Sequence, residues 1–170
     1  PEQKNKDLLN QLKTQHSDLI KDPAYAPHIE HNSYPSFYPL VAPEGTWSSS
    51  ITLISTATLK PTYNEYLKNN EVALCLTTAK FSKYEADNFL LVGTATDYKL
   101  NPSSYSMAYV RSYILSQNNQ KLQLLHVTTV DALPLSITPY KGMILAGIGY
   151  MVRLYDIGKA QLLKKCEYKH

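Results

Sequence analysis

The sequence predicts an all-β fold from residue 46 onward, and three features indicate it. Apolar runs have the length of strands, two-residue turns containing glycine separate them, and one strand order occurs twice. The first two features are clearest in the last thirty residues, where the strand-like runs are Met143–Ile148, Met151–Ile157 and 160–168. The links between these runs have only two residues each, Gly149-Tyr150 and Gly158-Lys159. Such short links allow only an antiparallel meander.

An internal repeat narrows the fold to a partial β-propeller. Leu90–Ala95 matches Ile144–Gly149, which lies 54 residues later, and 121–125 matches 160–164 loosely. Four-stranded antiparallel units that recur at this period are typical of propeller blades. A chance match between short β-rich strings is the alternative.

The repeat also defines equivalent residues. Gly93 corresponds to Gly147 at a spacing of 54 residues, and Arg111 corresponds to Arg153 at a spacing of 42. The two spacings differ because the link between the second and third strands is long in the first copy, Thr96–Tyr105. In the second copy the same link has two residues.

The chain divides into three predicted segments. Residues 1–21 form a short amphipathic helix, because leucines and one histidine recur on one helical face. Residues 22–45 form a Pro/Tyr-rich linker, since five of the ten prolines fall there and disfavour both helix and sheet. Residues 46–170 form the β-propeller segment. We divide it into a partial blade at 46–67 and complete blades at 71–130 and 133–169.

About two and a half blades cannot close a ring, because a blade buries its faces only against neighbouring blades. The segment should therefore leave apolar faces open at both ends. We expect it to belong to a longer chain of more than about a thousand residues, as three propellers of about seven blades would require.

About ten strands and no helix are expected after residue 45. A polar loop is expected at Ser82–Asp87, and turns are expected at 101–104, 117–120 and 141–142. The predicted strands before the closing meander are 46–55, paired with 58–67, then 72–81, 88–98, 106–116, 121–130 and 133–140.

Composition excludes several classes of protein. The net charge of +3 is too small to indicate nucleic-acid binding by itself. The lysines near the end of the chain (Lys159, Lys164, Lys165, Lys169) are interpreted as a solvated strand face or rim. Cys75 and Cys166 lack a CxxC partner and are interpreted as buried free thiols. No apolar run reaches the length of a membrane span, and a reducing intracellular setting is expected.

No motif predicts an enzyme, a cofactor or a metal. Gly147-Ile148-Gly149 lacks the third glycine and the helix of a dinucleotide loop, so a turn is expected there. His28 and His31 have no third ligand within the Pro-rich segment. Three further sets are expected to be structural. The acids Asp97, Asp131 and Asp156 should cap turns, the serines Ser48–Ser50 should alternate along a strand, and Arg111 and Arg153 should pair with a neighbouring strand or carbonyl.

Several stretches resemble the splicing factor 3b subunit 3 family. They are "GTWSSSITLIS", "NNEVALCLTTAKF", "FLLVGTATDYKLNPSS" and above all "GMILAGIGYMVRLYDIGKAQLLKKCEYKH". The resemblance covers about residues 45–170. Damaged-DNA-binding protein 1 and the large subunit of the cleavage and polyadenylation specificity factor are more distant relatives, and the "LNP-S" turn and the ending fit the splicing family better.

The resemblance implies a segment of the third propeller of a non-enzymatic scaffold. It implies a nuclear location, support of branch-site recognition in the spliceosome, and contacts with a large helical-repeat subunit and small subunits. RNA would be contacted only indirectly. The alternatives are an adaptor of a ubiquitin ligase or of the cleavage and polyadenylation machinery, a propeller enzyme, and direct RNA binding by Tyr25–Tyr38 and the carboxy-terminal lysines.

Overall fold

The structure is a computed structural model that describes residues 42–68, 70–116, 121–159 and 161–169. The predicted helix at 1–21 and nearly all of the linker at 22–45 lie outside these residues. The described part contains twelve strands and no helix. The predicted all-β class is therefore confirmed, and the arrangement of the sheets is that of a partial, open propeller.

The strands follow one another with short connections. They are β1 (Ser50–Ile54), β2 (Pro61–Tyr66), β3 (Glu71–Phe81), β4 (Tyr84–Thr96), β5 (Lys99–Leu100), β6 (Ser103–Ser104), β7 (Met107–Ser116), β8 (Lys121–Val130), β9 (Pro134–Tyr140), β10 (Met143–Ile148), β11 (Met151–Ile157) and β12 (Leu162–Lys169).

Two antiparallel sheets of four strands form the body of the molecule. Sheet I has the order β3-β4-β7-β8, and sheet II has the order β9-β10-β11-β12. Two smaller sheets, β1-β2 and β5-β6, accompany them. Each large sheet is a meander in which neighbours in sequence are neighbours in space, as the short connections require.

The register of the two large sheets confirms the sequence repeat. Gly93 lies opposite Val110 between the second and third strands of sheet I, and Gly147 lies opposite Val152 in sheet II. Because the arginine follows the valine in both third strands, Arg111 and Arg153 occupy equivalent places in the two sheets.

Turn chemistry explains the tight hairpins of sheet II. The β9–β10 turn consists of Lys141 and Gly142, and both have positive φ, +46° and +71°. This is the requirement of a type I′ turn, whose twist matches that of the flanking strands. Gly149, at φ +56°, begins the β10–β11 turn. The predicted link Gly149-Tyr150 is thus confirmed, whereas Gly147 and Ile148, where a turn was also expected, belong to β10.

The predicted loop at Ser82–Asp87 is wrong. The strands β3 and β4 continue through this region as one long hairpin, and only Ser82 and Lys83 form the turn. The polar residues of the hairpin suggested a loop, but Phe81 pairs with Tyr84 across the turn. Phe81 also packs edge-on against Phe89 at 5.1 Å between ring centroids. Aromatic packing therefore extends the hairpin beyond the apolar run that the sequence displays.

Sheet I is buried on both faces, which explains the continuous apolar runs of its central strands. Phe89 and Leu91 of β4 point into one core, together with Ile144 and Ile148 of sheet II. The alternate β4 residues point into a second core, which they share with Ile51 of β1. The alternation of side chains along a strand therefore places sheet I between β1-β2 and sheet II.

Apolar side chains remain exposed at both ends of this stack, as expected from the sequence. On the face of sheet II turned away from sheet I, Val152 and Tyr168 are half exposed or more. At the other end, Leu76 of β3 lies on the face that β1-β2 only partly covers, and it is 65% exposed. Both faces have the character of surfaces that a further sheet could cover.

Candidate interaction site

Sheet I carries a buried ion pair that joins its first and third strands. The Arg111 guanidinium on β7 donates through Nε and Nη2 to both carboxylate oxygens of Glu71, at 2.7 and 2.6 Å. Thr94 on the intervening β4 donates its hydroxyl to the same carboxylate at 2.6 Å. Glu71 is completely buried and Arg111 nearly so. Both charges are thus paired in the bidentate geometry that buried ions need.

Two opposing effects act on the pKa of Glu71. Burial is the larger single effect and raises it, since desolvation disfavours the carboxylate. The hydrogen bonds from Arg111 and Thr94 act together in the opposite direction and leave the pKa below its ordinary value. Glu71 is therefore ionised at neutral pH and cannot serve as a general acid.

The equivalent arginine in sheet II has different partners. Both Nη atoms of Arg153 donate to the carboxylate of Asp131, which lies in the link between the two sheets. Its Nε donates at 3.1 Å to Glu167 on the neighbouring strand β12. The arginine side chain is 7% exposed, whereas those of Asp131 and Glu167 are 61% and 41% exposed. The hydrogen bond from Arg153 holds the pKa of Asp131 below its usual value.

Both arginines thus have structural partners, as expected from their recurrence. Each binds a carboxylate at the beginning of its own sheet: Glu71 is the first residue of β3, and Asp131 precedes β9. Asp131 accordingly does more than cap a turn. Because every charged group in these pairs is neutralised by its partner, neither pair supplies an unpaired acid or base for catalysis.

The tip of the β3–β4 hairpin joins sheet I to sheet II through polar contacts. The Ser82 backbone N–H donates to the Gly142 carbonyl at 3.1 Å. The Lys83 ammonium donates to Asp156 at 2.7 Å, and its hydrogen bond lowers the pKa of that carboxyl. The Tyr84 hydroxyl lies 3.3 Å from the carbonyl oxygen of Gly158. A shallow, solvent-open depression of about 410 Å³ lies beside this tip.

A second projection lies between β4 and β7. We call Asp97–Ser106 the arm, and it contains the small hairpin β5-β6. Its two ends meet, because the Ser106 N–H donates to the Thr96 carbonyl at 2.9 Å. The turn expected at 101–104 forms the tip of this hairpin, although the two short strands were not predicted.

Asp97 closes the base of the arm. Its carboxylate accepts hydrogen bonds from the Ser106 hydroxyl at 2.7 Å and from the Asn70 side-chain amide. These bonds lower its pKa. Asp97 and Asn70 both adopt positive φ, +54° and +55°, a conformation that Asp and Asn tolerate better than most residues.

The remaining predicted candidates do not converge on one place. His28 and His31 lie outside the described residues. Ser48 and Ser49 precede β1 instead of lying within it, and the Ser49 hydroxyl accepts a hydrogen bond from the Ala73 N–H. In the described ranges, no three His, Cys, Asp or Glu residues form a group that could hold a metal ion. The same ranges contain no helix long and apolar enough to cross a membrane.

The cysteines are free, as predicted, but only one of them is shielded from solvent. Cys75 is half-buried, and burial raises the pKa of its thiol. Cys166 is exposed on β12, so the prediction of a buried thiol is wrong there. The reason is that Cys166 lies opposite Leu154, on the same outer face of sheet II as Val152 and Tyr168, which no described strand covers.

The lysines near the end of the chain lie on an exposed face. Lys164 donates to Glu167 at 2.9 Å, and the Lys165 ammonium lies 3.6 Å from Asp156. The described lysines of this group, Lys159, Lys164, Lys165 and Lys169, are all exposed. This agrees with their interpretation as a solvated strand face.

Sequence reasoning missed Glu71, Lys83, Tyr84 and Trp47. Trp47 donates its indole N–H to the Tyr98 carbonyl at 2.6 Å and stacks on the Tyr98 ring. The contacts of Glu71 with Arg111, of Trp47 with Tyr98 and of Lys83 with Asp156 span 40, 51 and 73 positions. Periodicity carries no information at such separations. The single tryptophan was the one available signal.

Comparison with known proteins then decides the family. The sequence model of the family described as "CPSF A subunit region" matches residues 48–170. The chain belongs to the CPSF A subunit region family.

Within this family, the relatives found have splicing names. "Pre-mRNA-splicing factor RSE1" of Mycosarcoma maydis is 39% identical over 126 residues, which cover 74% of this chain and 10% of that protein. "Splicing factor 3B subunit 3" of Danio rerio is 38% identical over 129 residues, 76% of this chain and 11% of that protein. "Spliceosome-associated protein 130 A" of Arabidopsis thaliana is 36% identical over 124 residues, 72% of this chain and 10% of that protein. The resemblance to splicing factor 3b subunit 3 is thereby confirmed, and the chain spans about a tenth of the length of these relatives.

Proposed function

We propose that this chain is a non-enzymatic scaffold segment of a splicing factor 3b subunit. It supports branch-site recognition in the spliceosome through protein–protein contacts, and it acts in the nucleus. The observation that carries the proposal is the match, at 38–39% identity over about three quarters of the chain, to proteins named as splicing factors.

The geometry supports a scaffold. The strongest polar contacts of the described residues, those of Glu71 with Arg111 and of Asp131 with Arg153, join parts of the chain to one another. Two of the surfaces left over carry exposed apolar side chains, namely the outer face of sheet II and the uncovered part of β3. Apolar faces with polar rims are suited to association with protein.

The domain boundaries form part of the proposal. Residues 46–67 supply a partial blade, and 71–130 and 133–169 are complete blades. Further blades of a longer chain cover the open faces. Other subunits, a large helical-repeat subunit and small subunits among them, bind the loops and edges, and RNA is reached only through them.

A second candidate is an adaptor in another assembly, either a ubiquitin ligase or the cleavage and polyadenylation machinery. The description of the matching family names CPSF, and this is the observation that favours the second candidate. The names of the relatives favour splicing.

Affinity purification of the tagged full-length protein, followed by mass spectrometry, separates the two. Recovery of splicing subunits in near-stoichiometric amounts, resistant to ribonuclease, is the expected result. Recovery of cullin or polyadenylation subunits without splicing proteins would favour the second candidate. Loss of all partners after ribonuclease treatment would instead favour direct RNA binding, whose affinity falls steeply with salt.

A further inference from the structure

One row of residues in sheet I receives the first strand of sheet II. Cys75, Gly93 and Val110 lie opposite one another on β3, β4 and β7. The Cys75 thiol donates to the carbonyl oxygen of Pro134, the first residue of β9, at 3.2 Å. A methyl group on Gly93 would lie 2.9 Å from that oxygen, so the glycine leaves the space that the backbone of sheet II occupies. The joint thus combines a hydrogen-bond donor on the first strand with a glycine on the second.

Sheet II contains the same row. Ser136, Gly147 and Val152 lie opposite one another on β9, β10 and β11. Gly147 is the repeat equivalent of Gly93, and its partner Ser136 therefore corresponds to Cys75. Serine differs from cysteine only in carrying oxygen in place of sulfur, and its hydroxyl is the stronger donor. Sheet II therefore carries both parts of the joint on its outer face.

Within the described ranges, no backbone approaches this second row. The three atoms nearest to a methyl group placed on Gly147 all belong to Ser136. Ser136 is exposed and Val152 is 50% exposed, whereas Val110, at the place equivalent to Val152, is completely buried. A glycine inside a strand weakens the strand, and it often marks a place where another backbone comes close. The approach that explains Gly93 thus has no counterpart at Gly147 among these residues.

A further sheet of the same polypeptide is the occupant that these features indicate. The chain already makes this joint once, between two consecutive sheets, and repeated sheets bury their faces against one another. The chain spans about a tenth of the length of its relatives, so a full-length protein has ample chain to supply another sheet. RNA fits the row less well, because Ser136, Val152 and the neighbouring Tyr168 provide no cation for a phosphate backbone.

We propose that the first strand of a further sheet of the same polypeptide docks on the outer face of sheet II and places a backbone carbonyl oxygen against Ser136 and Gly147. The Ser136 hydroxyl donates to this oxygen, as the Cys75 thiol donates to Pro134. Gly147 leaves room for the strand, and Val152 is buried beneath it. The inference rests on the scaffold function proposed above, in which a longer chain supplies further blades, and it identifies the residues of one joint.

The identity of the occupant is tested in the full-length protein with a photo-crosslinking amino acid at position 152. We expect a crosslink to a peptide of the same polypeptide that lies outside residues 1–170. Position 150 is the matched control, because Tyr150 lies in the adjacent turn and is 89% exposed. A crosslinker placed there should not reach that peptide.

Hydrogen exchange of the β9 and β10 peptides in the full-length protein tests the joint itself. Ser136→Ala removes the donor and should accelerate local exchange about fivefold, as the loss of one buried hydrogen bond implies. Ser136→Cys supplies the donor that sheet I uses and should keep exchange within about twofold of wild type. Thr138→Val is the matched control, because it removes an exposed hydroxyl from the same strand and the same face, opposite Leu145 instead of a glycine. It should leave exchange unchanged.

Several results would overturn the joint. They are a crosslink from position 152 to another protein or to RNA, the absence of any crosslink, and exchange in Ser136→Ala that equals that of wild type. Equal acceleration by Ser136→Ala and Thr138→Val would do the same, since it would show a general effect of losing a hydroxyl. The proposed function survives all of these results, and it fails only if the wild-type protein recovers no splicing subunits.

Discussion

Arg111 and Arg153 occupy equivalent places in the two large sheets but lie in different environments. Arg111 binds a carboxylate that is fully buried beneath β1-β2. Arg153 binds two carboxylates that are half exposed at the sheet margin. Both arginines lie on covered faces, since Arg111 is opposite Val92 of one core and Arg153 is opposite Ala146 of the other. The difference therefore comes from the carboxylate partners, which are buried in sheet I and exposed in sheet II.

The difference shows that residues at equivalent positions of a repeat can contribute different amounts to stability. A charge pair at an exposed margin is worth about 0–1 kcal/mol, because water already solvates both partners. A buried pair contributes little net stability when intact, but removing one partner leaves an uncompensated charge. Variants at equivalent positions of the two sheets measure this contrast directly.

The largest effect is expected from Arg111→Ala. It leaves Glu71 buried and unpaired, apart from Thr94, and should destabilise sheet I by about 3–5 kcal/mol. Native-state hydrogen exchange of the β3 and β7 peptides in the full-length protein reports this as a lower free energy of local opening. A double variant, Glu71→Leu with Arg111→Met, should recover much of the loss. A cost below about 1 kcal/mol for Arg111→Ala would show that water reaches the pair.

Substitution of the equivalent glycines, Gly93 and Gly147, should give a smaller difference in stability between the two sheets. A methyl group at position 93 would lie 2.6 Å from the Cys75 sulfur and 2.9 Å from the Pro134 carbonyl oxygen, which belongs to the backbone of sheet II. We expect Gly93→Ala to cost about 1–3 kcal/mol through overpacking. At position 147 the nearest atom is the Ser136 hydroxyl oxygen at 2.6 Å, which can rotate away.

Through the described contacts alone, the matched variant Gly147→Ala should therefore cost clearly less than Gly93→Ala. In the full-length protein, the further sheet proposed above holds the Ser136 hydroxyl in place and should bring the two costs within about 1 kcal/mol of each other. Hydrogen exchange of β4 and β10 in that protein measures both substitutions on one scale. A clearly smaller cost at position 147 would mean that no backbone approaches sheet II there.

A smaller effect is expected from Arg153→Ala. Its partners Asp131 and Glu167 return to water when the guanidinium is removed, and the loss should be about 0.5–1 kcal/mol. Exchange of the β11 and β12 peptides provides the measurement. Raising the salt concentration should reduce the difference between wild type and variant, since exposed pairs are screened. A loss as large as that of Arg111→Ala would remove the contrast between the sheets.

The smallest effect in the accessible pH range comes from the titration of Glu71. Its pKa is lower in the folded protein than its ordinary value, so its contribution is complete above the unfolded-state pKa of about 4.3. The contribution is lost as the pH falls below that value toward the folded pKa. Between pH 7 and 5 the opening free energy of β3 should be unchanged on this account. Below about pH 4.3 it should decline in wild type more steeply than in Glu71→Gln.

Much of the fold could be predicted from local sequence. The bounds of β8 and β11 were predicted correctly, because each is an apolar run that ends at a turn. The loop predicted at 82–87 was wrong, since the aromatic packing that extends the hairpin is not a periodic signal. The strands of the arm were too short to show any pattern.

The interaction site could be predicted only in part. The repeat correctly indicated that Arg111 and Arg153 are structural, because equivalent residues in a repeat recur for packing reasons. It could not name Glu71 as the partner of Arg111, since the two are 40 positions apart. They come together only because β3 and β7 both pair with β4.

The hairpin tip of sheet I has a consequence for synthesis on the ribosome. Lys83 and Tyr84 bind groups that lie 73 to 75 positions later in the chain. At about 5–20 residues per second, they are made about 4–15 seconds before their acceptors. During that interval the aromatic rings of Phe81 and Phe89 have no second sheet to cover them. Until sheet II has been synthesised, the nascent chain therefore carries aromatic surface that the folded protein buries.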